Sequence, residues 1–518
     1  MAVMPHGDAD TGEAGLVAGL AADPVAGGVA RWASQRGLAP AVVTGAGVGL
    51  ALVAAVWFSG QAPLARAAAA VALLTSLVAS RAARMLAAPV QARAPVAGWL
   101  MTGCWALSEW TVYAGLAASA GLGAGPAPGA HAVHGGGRPG AGAGGVWQLA
   151  AAAMLLLAVR QMADLCYERA AEGADGRPRR SRLAWLRWPW LRWPWLRLAG
   201  RSLTLPSGER AVLIAVTGAV WGPAVTFPAL LGWGSLALGC VLVARIAAGR
   251  GAAAGEGAAV VAGAGTATGS GAGPGSGGGA SQAAPAAGEG ADGGQIAACR
   301  DDGRVSQWLG GLAGGRLPPL PPVIAGVLVT AVLAALGLGH LTGILVLTPV
   351  EAMLLAGLGA RHPHDGPLDW LVPPLLQAGE YLFLAALAFT RPVPPPLAFA
   401  LLAAVALRHL DAACRARYRV VWPVPSRAPR RAGHPGSASA WYAGSSSAGY
   451  AGSKAAVYAG AGYARAGRPA VPAVLPPEAG WAGLGWEVRM LVAGLAGAFG
   501  VVTFACVMLS GYLWFLLG

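Results

Sequence analysis

Long apolar runs, separated by short polar, glycine-rich or proline-rich connections, make up most of the chain. A helix needs roughly 20 mainly apolar residues to cross about 30 Å of hydrocarbon, and about eleven runs approach that length. They lie near residues 40–59, 63–80, 96–121, 146–166, 208–221, 224–246, 320–338, 341–360, 369–390, 394–410 and 487–517. The pattern therefore predicts an all-α, polytopic integral membrane protein.

Low-complexity segments divide these runs into two groups. Residues 248–294 are rich in Gly, Ala and Ser, which is typical of a linker. They separate six predicted spans from five, so we expect two bundles, one at residues 23–247 and one at 295–518. We expect residues 1–22 to form a disordered tail, and residues 420–480 to form a low-complexity cytoplasmic loop.

The composition excludes most classes of soluble protein. The chain is 56% hydrophobic and 11% charged, and its mean hydropathy is +0.56. Its formal net charge of +14 is carried almost wholly by arginine. These arginines lie between apolar runs, where membrane orientation and anionic lipids explain them better than nucleic acid does. We therefore expect membrane lipids as partners, and no nucleic acid.

The arginines also predict an orientation, because they concentrate in alternate connections. They follow the second, fourth, sixth and tenth runs, at Arg81, Arg84, Arg93, Arg169, Arg177, Arg179, Arg180, Arg182, Arg245, Arg250, Arg415, Arg417 and Arg419. Arginine-rich loops remain on the cytoplasmic side of the membrane. The pattern predicts a multi-pass protein of the cytoplasmic (inner) membrane with a cytoplasmic N-terminus.

Neither the cysteines nor the histidines form a strong metal motif. The six cysteines stand singly, and no Cys-x-x-Cys spacing occurs. The segment "RHPHDGPLD" contains His362, His364, Asp365 and Asp369, but this spacing with Pro and Gly is typical of a turn. We therefore predict no metal site.

Three stretches of the first half carry a family resemblance. "ARWASQRGLAPAVVT" (30–44), "SEWTVYAG" (108–115) and "VRQMADLCY" (159–167) resemble, in order and spacing, segments of the CDP-alcohol phosphatidyltransferases. These six-span membrane enzymes of phospholipid biosynthesis move a phosphatidyl or similar group from a CDP-linked donor to an alcohol. The resemblance implies that fold for residues 23–247.

The catalytic signature of that family is degenerate in this chain. In the pattern D-x2-D-G-x2-A-R-x8-G-x3-D-x3-D, four carboxylates hold divalent metal against the donor pyrophosphate. Aligned through Ala83 and Arg84, the signature places Ser76 and Ala79 at the first two aspartates and Ser80 at the glycine. Aligned through "SEWTVYAG", it places Met101 and Trp105 at the last two aspartates, with twelve residues instead of eight between Arg84 and the second glycine position. Because all four acids are replaced, the resemblance implies a pseudoenzyme, with Mg²⁺ or Mn²⁺ needed only if transferase activity persists.

Two functions remain open for the degenerate site. Arg81 and Arg84, with no carboxylate near them in the sequence, are candidates for binding a lipid head group or the phosphate of a CDP-linked metabolite. The competing interpretation is that they only mark the cytoplasmic end of a span. An active transferase would need other acids, and Glu109 and Asp164 are the candidates in this half.

The second half resembles an uncharacterised membrane domain that follows phosphatidyltransferase-like domains in some bacterial chains. The stretches that carry this resemblance are "CRDDGRVSQWLG", "GRLPPLPP", "LTGILVLTPVEAML", "HPHDGPLDWLVPPLLQAGEYLFLAALAF", "RHLDAACRARYR" and "GLGWEVRM". That domain has no established activity, so the resemblance implies none here. A role as scaffold for a lipid-biosynthesis enzyme remains open.

Acidic residues inside the predicted spans of the second half suggest a rival function. Glu351 and Glu380 are expected to face the bundle interior, because an unpaired carboxylate is costly in hydrocarbon. Pro373 and Pro374 are expected to loosen the span before Glu380. A transporter or flippase built around the two glutamates is therefore an alternative. Asp411 is expected to form ion pairs with Arg408 and Arg415 at helical spacing.

Overall fold

The structure is a computed structural model, and its described part is helical without strands. It describes residues 18–91, 95–122, 143–171, 204–265, 299–337, 343–362, 366–391, 393–418 and 485–499. These residues form thirteen α-helices: α1 Asp23–Gln35, α2 Pro40–Ser59, α3 Pro63–Gln91, α4 Pro95–Leu122, α5 Ala143–Ala171, α6 Ser207–Val220, α7 Pro223–Gly265, α8 Arg304–Leu312, α9 Leu320–Ala335, α10 Thr348–Leu354, α11 Val372–Thr390, α12 Pro395–Tyr418 and α13 Trp486–Phe499.

Six of the described helical segments are long and apolar enough to cross a membrane. They are Pro40–Ser59, Pro63–Ala88, Gly144–Ala170, Pro223–Ala247, Asp369–Thr390 and Pro395–Arg415. The prediction of a polytopic helical protein is confirmed at this level, whereas the count of about eleven spans is not. The segment predicted at 341–360 is broken, because 3₁₀ turns at Gly343–Leu347 and Leu355–Gly359 flank the short helix α10.

Prolines begin many of these helices. Pro40, Pro63, Pro95, Pro223 and Pro395 each occupy the first helical position, where a missing N–H costs no hydrogen bond.

The same reasoning corrects an expectation about α11. Pro373 and Pro374 lie in the first turn of that helix, not in its interior. They initiate the span and do not loosen it, because first-turn N–H groups have no partner within the helix.

The first four helices pack closely through small residues. α2 contacts both α3 and α4, and α1 lies against α3. The approach of α4 to α2 depends on Gly115, where an added Cβ would overlap the Ala55 carbonyl oxygen. Small residues at helix crossings let backbones approach, which is the main source of packing energy within a membrane.

Helices before and after the predicted linker share one core. α12 packs on α4 and α5, and α11 packs on α5. Trp147 meets Phe399 edge to face at 5.5 Å, and Tyr167 meets Trp370 at 5.1 Å. The division at residues 248–294 stays a prediction, and α7 continues into that segment as far as Gly265. The tail and loop predicted at 1–22 and 420–480 lie almost entirely outside the described residues.

Candidate functional site

A cavity opens between α2, α3, α4 and α6, and it is lined by residues at positions of the signature that the resemblance implies. The space between the helices, including the open solvent at its mouth, amounts to about 410 Å³. α3 contributes Ser76 and Ser80, and α4 contributes Trp105, so three of the motif positions from two helices meet around one space. The polar residues of the lining are completed by Ser108, Glu109 and Ser207.

The hydroxyl groups around this cavity differ in their hydrogen bonding. Ser76 Oγ donates to the Gly47 carbonyl at 2.7 Å, and Ser108 Oγ donates to the Cys104 carbonyl at 2.8 Å. The Ser207 hydroxyl is buried and has no hydrogen-bond partner among the described residues. Since buried polar groups are normally paired, Ser207 marks a place where a ligand hydroxyl or water is expected.

Glu109, the acid proposed to replace a motif aspartate, is already engaged. Its carboxylate forms a bidentate pair with Arg210, with Nε–Oε1 at 2.8 Å and Nη2–Oε2 at 3.0 Å. Tyr113 Oη also donates to Oε1 at 2.6 Å. Both partners of the ion pair are buried. A carboxylate bound in this way is neutralised, and it is poorly placed to take a proton from a substrate.

Arg210 was missed by the sequence reasoning. The signal was present in "SGER", which begins α6, where a charged pair precedes an apolar run. The guanidinium also lies 4.9 Å from the centre of the Trp105 ring, a cation–π contact. Arg210 on α6 therefore contacts two side chains of α4 that line the cavity, Trp105 and Glu109.

These residues do not fit a divalent-metal site. Mg²⁺ requires several oxygen ligands, usually including free carboxylates. The cavity offers serine hydroxyls and one ion-paired glutamate, while Met101 and Ala83 pack into a small apolar cluster with α1. No group of three or more His, Cys, Asp or Glu side chains in the described part of the chain is arranged to hold a metal.

Arg81 corrects the expectation that no carboxylate balances the arginine pair. Its Nη1 lies 2.6 Å from Asp23 Oδ1, at the start of α1. The ion pair is partly buried and ties α1 to α3. Arg84, one turn further along α3, also interacts with neighbouring groups. The pair with Asp23 gives Arg81 a structural role, while its buried Nε and Nη2 have no hydrogen-bond partner among the described residues.

Asp164 lies between two arginines, and the nearer one comes from another helix. It lies 3.9 Å from Arg160, four residues earlier on α5, and 2.6 Å from Arg245 on α7. Arg245 also lies over the Tyr167 ring at 4.5 Å. Asp164 therefore links α5 with α7, and it is not among the residues that line the cavity.

The second half contains a buried charged cluster centred on Glu380. This residue is 0% exposed, and its carboxylate pairs with Arg489 at 2.7 Å (Nε–Oε1) and 2.9 Å (Nη2–Oε2). Arg489 also contacts Asp301 at 2.7 Å. The expectation that Glu380 faces the interior is therefore correct.

His409 connects this ion pair with Tyr381. Its Nε2 lies 2.8 Å from Arg489 Nη2, and its Nδ1 lies 2.7 Å from Tyr381 Oη. Because a guanidinium only donates hydrogen bonds, we assign Nε2 as the acceptor and place the proton on Nδ1, which donates to Tyr381. Every polar atom of the imidazole ring is therefore satisfied.

A short segment before α8 extends the cluster. Arg408 Nη2 lies 3.6 Å from Asp301, which adopts a left-handed φ of +53°. Asp302 pairs with the buried Arg300 at 2.7 Å and accepts a hydrogen bond from Trp486 Nε1 at 3.1 Å. The acidic pair in "CRDDG" therefore anchors both α12 and α13.

Other predicted residues of the second half do not join this cluster. Glu351 is exposed on α10, so the expectation that it faces the interior is wrong. Asp369 is buried and accepts a hydrogen bond from the Gly366 N–H at 3.0 Å, which is consistent with the predicted turn. His364 and Asp365 lie outside the described residues. Asp411 pairs with Arg415 at 2.9 Å, as predicted.

Comparison with known proteins adds one partial match. Residues 281–440 match the model of a family of unknown function, DUF5941. This agrees with the resemblance of the second half to an uncharacterised domain, although it covers less than half of the chain. No curated protein and no solved structure matches the chain.

Proposed function

We propose that the chain is a catalytically degenerate relative of the CDP-alcohol phosphatidyltransferases that holds a lipid head group without transferring it. The observation that carries this proposal is the meeting of Ser76, Ser80 and Trp105 around one cavity. The family signature requires these positions of two helices to face one another. Their side chains retain the cavity but lack the carboxylates that metal chemistry needs.

The chemistry of the cavity supports a neutral, hydroxylated head group as the bound moiety. Glu109 and Arg210 neutralise each other at its edge, while Trp105 presents an aromatic ring and Ser207 an unpaired hydroxyl. Pockets of this kind combine apolar contact with a few directional polar groups. Because Arg81 is already paired with Asp23, the proposal does not depend on phosphate binding by Arg81.

Two alternatives have less support. An active transferase would depend on Glu109 or Asp164, and both carboxylates are engaged by arginines. A transporter or flippase built around Glu380 and Glu351 would need the two acids near one pathway. Glu380 is buried in a bidentate ion pair, and Glu351 is exposed on another helix.

We further propose an orientation in the membrane and a partner. We place the protein in the cytoplasmic membrane with its N-terminus inside, because the arginines lie in alternate connections. In this topology, the other predicted spans carry the chain across the membrane between these connections. A lipid-biosynthesis enzyme that uses the bound lipid is the partner that a scaffold of this kind would serve.

Two measurements on purified full-length protein test the proposal. No CMP release is expected from CDP-diacylglycerol and an alcohol with Mg²⁺ or Mn²⁺, and metal-dependent release would overturn the pseudoenzyme assignment. Native mass spectrometry is expected to find a retained lipid that Trp105→Ala removes. The matched control is Trp57→Ala, which alters an exposed tryptophan of α2. Equal lipid retention in both variants would reject the cavity as the binding site.

A further inference from the structure

The short helix α8, at Arg304–Leu312, is amphipathic, but its apolar side faces outward. Val305, Trp308 and Leu312 recur at helical spacing, and Trp308 and Leu312 are 62% and 66% exposed. Residues at i, i+3 and i+7 share one face of a helix. Exposure of such an apolar stripe to water is unfavourable. We therefore expect an apolar environment around this side of α8.

The inner side of α8 consists of small residues pressed against the backbone. A Cβ on Gly310 would stand 3.0 Å from the Arg361 nitrogen, and the Ser306 Cα lies 3.0 Å from the position of a Cβ on Gly357. The Ser306 N–H donates to Glu487 at 3.2 Å. These close contacts fix which side of α8 faces outward, because the opposite side has no room for larger groups.

Basic residues surround the outward stripe. Arg304 begins the helix, Arg316 follows its end, and both are exposed. Arg361 lies beside Gly311, where its Cζ would be 3.2 Å from an added Cβ. Within the described ranges, neither Arg304 nor Arg316 belongs to an ion pair. The acids nearest in sequence, Asp301 and Asp302, are already paired with Arg489 and Arg300.

The next helix, α9, also exposes apolar side chains. Gly314 and Gly315, with φ of +61° and +68°, lie in the seven-residue connection from α8 to α9. Leu328 and Val332 on α9 and Leu336 just after it are exposed. A tryptophan and arginines beside an apolar helix are typical of the head-group layer.

From these observations we infer that α8 lies in the membrane interface and binds anionic phospholipid. Trp308 and Leu312 enter the boundary of the acyl chains, while Arg304 and Arg316 contact lipid phosphate. The surface is distinct from the cavity near Trp105, and it does not depend on the function proposed for that cavity. Since Asp301 and Asp302 directly precede α8, lipid contact would also hold the segment that anchors α12 and α13.

Photocrosslinking of the full-length protein in vesicles tests this inference. p-Benzoylphenylalanine replaces Trp308, and the vesicles contain phosphatidylcholine with a minor share of phosphatidylglycerol. Lipid adducts are expected, with phosphatidylglycerol enriched over its bulk share by about fivefold for each contacting arginine. The double variant Arg304→Gln and Arg316→Gln is expected to return the adducts to the bulk composition.

A matched site on α9 provides the control. The same photoreactive residue at Leu328, which is 58% exposed, is expected to form lipid adducts whose composition the double variant leaves unchanged. Absence of lipid adducts at position 308 would overturn the inference, as would a crosslink to a second copy of the chain. Phosphatidylglycerol at its bulk share in the unmodified arginine background would also overturn it. Size-exclusion chromatography verifies that the compared proteins are folded.

Discussion

The carboxylate of Glu380 and the guanidinium of Arg489 form two parallel hydrogen bonds of 2.7 and 2.9 Å, although 109 residues separate them in the chain. The pair joins α11 to α13, and His409 joins both to α12. A bidentate arginine–carboxylate pair combines charge neutralisation with fixed geometry. Three helices of the second half are therefore locked together at one buried point.

Glu380→Gln is expected to destabilise the protein strongly. The change leaves the buried Arg489 with Asp301 as its remaining carboxylate partner, and loss of one partner of a buried pair costs up to about 3 to 5 kcal/mol. Thermal unfolding of purified protein in detergent measures the loss. Glu351→Gln is the matched control, because Glu351 is exposed, and it should leave the unfolding temperature unchanged. Equal effects of the two changes would contradict a structural role for the Glu380 pair.

Glu109 and Arg210 are expected to act as one structural unit. Glu109→Gln and Arg210→Gln should each lower stability, and the double variant should lose less than the sum of the two changes. For a pair in this buried setting, a coupling free energy of about 1 to 3 kcal/mol is expected. Chemical denaturation of the four proteins measures this coupling. Additive losses would show that the two side chains do not interact as their 2.8 Å contact indicates.

Substitutions in the Arg81–Asp23 ion pair distinguish a structural role of Arg81 from a role in ligand binding. Arg81→Gln and Asp23→Asn should cost similar amounts, about 1 kcal/mol or less, because the pair is partly exposed on its Asp23 side. Neither change should alter lipid retention as measured by native mass spectrometry. If Arg81→Gln abolished lipid retention while Asp23→Asn preserved it, Arg81 would be a head-group ligand.

Gly115→Ala is expected to separate α2 from α4. The new Cβ would overlap the backbone of Ala55, which cannot move aside as a flexible side chain would, and overpacking typically costs about 1 to 3 kcal/mol. Gly103→Ala, on the same helix, is the control because no atom of the described residues lies within 4 Å of its added Cβ. A lowered unfolding temperature in Gly115→Ala alone is the expected result. Equal stability of both variants would contradict the close helix crossing.

The sequence predicted ion pairs between residues close in the chain better than ion pairs between distant residues. Asp411 pairs with Arg415 as helical spacing predicted, since residues four apart share a helix face. The main partners of Asp164 and Arg81 were not predicted, because Arg245 and Asp23 come from distant parts of the chain. Glu351 and Glu380 had the same apolar context in sequence, yet one is exposed and the other is buried.

By itself, the sequence predicted a helical membrane protein, and the described residues are helical with six segments long and apolar enough to cross a membrane. Hydrophobic run length carries that prediction, because it depends on neighbouring residues alone. Only the tertiary structure decided that Ser76, Ser80 and Trp105 meet at one cavity, and that Arg489 neutralises Glu380. Contacts between distant segments depend on how helices cross and rotate, and the order of residues along one helix does not specify that arrangement.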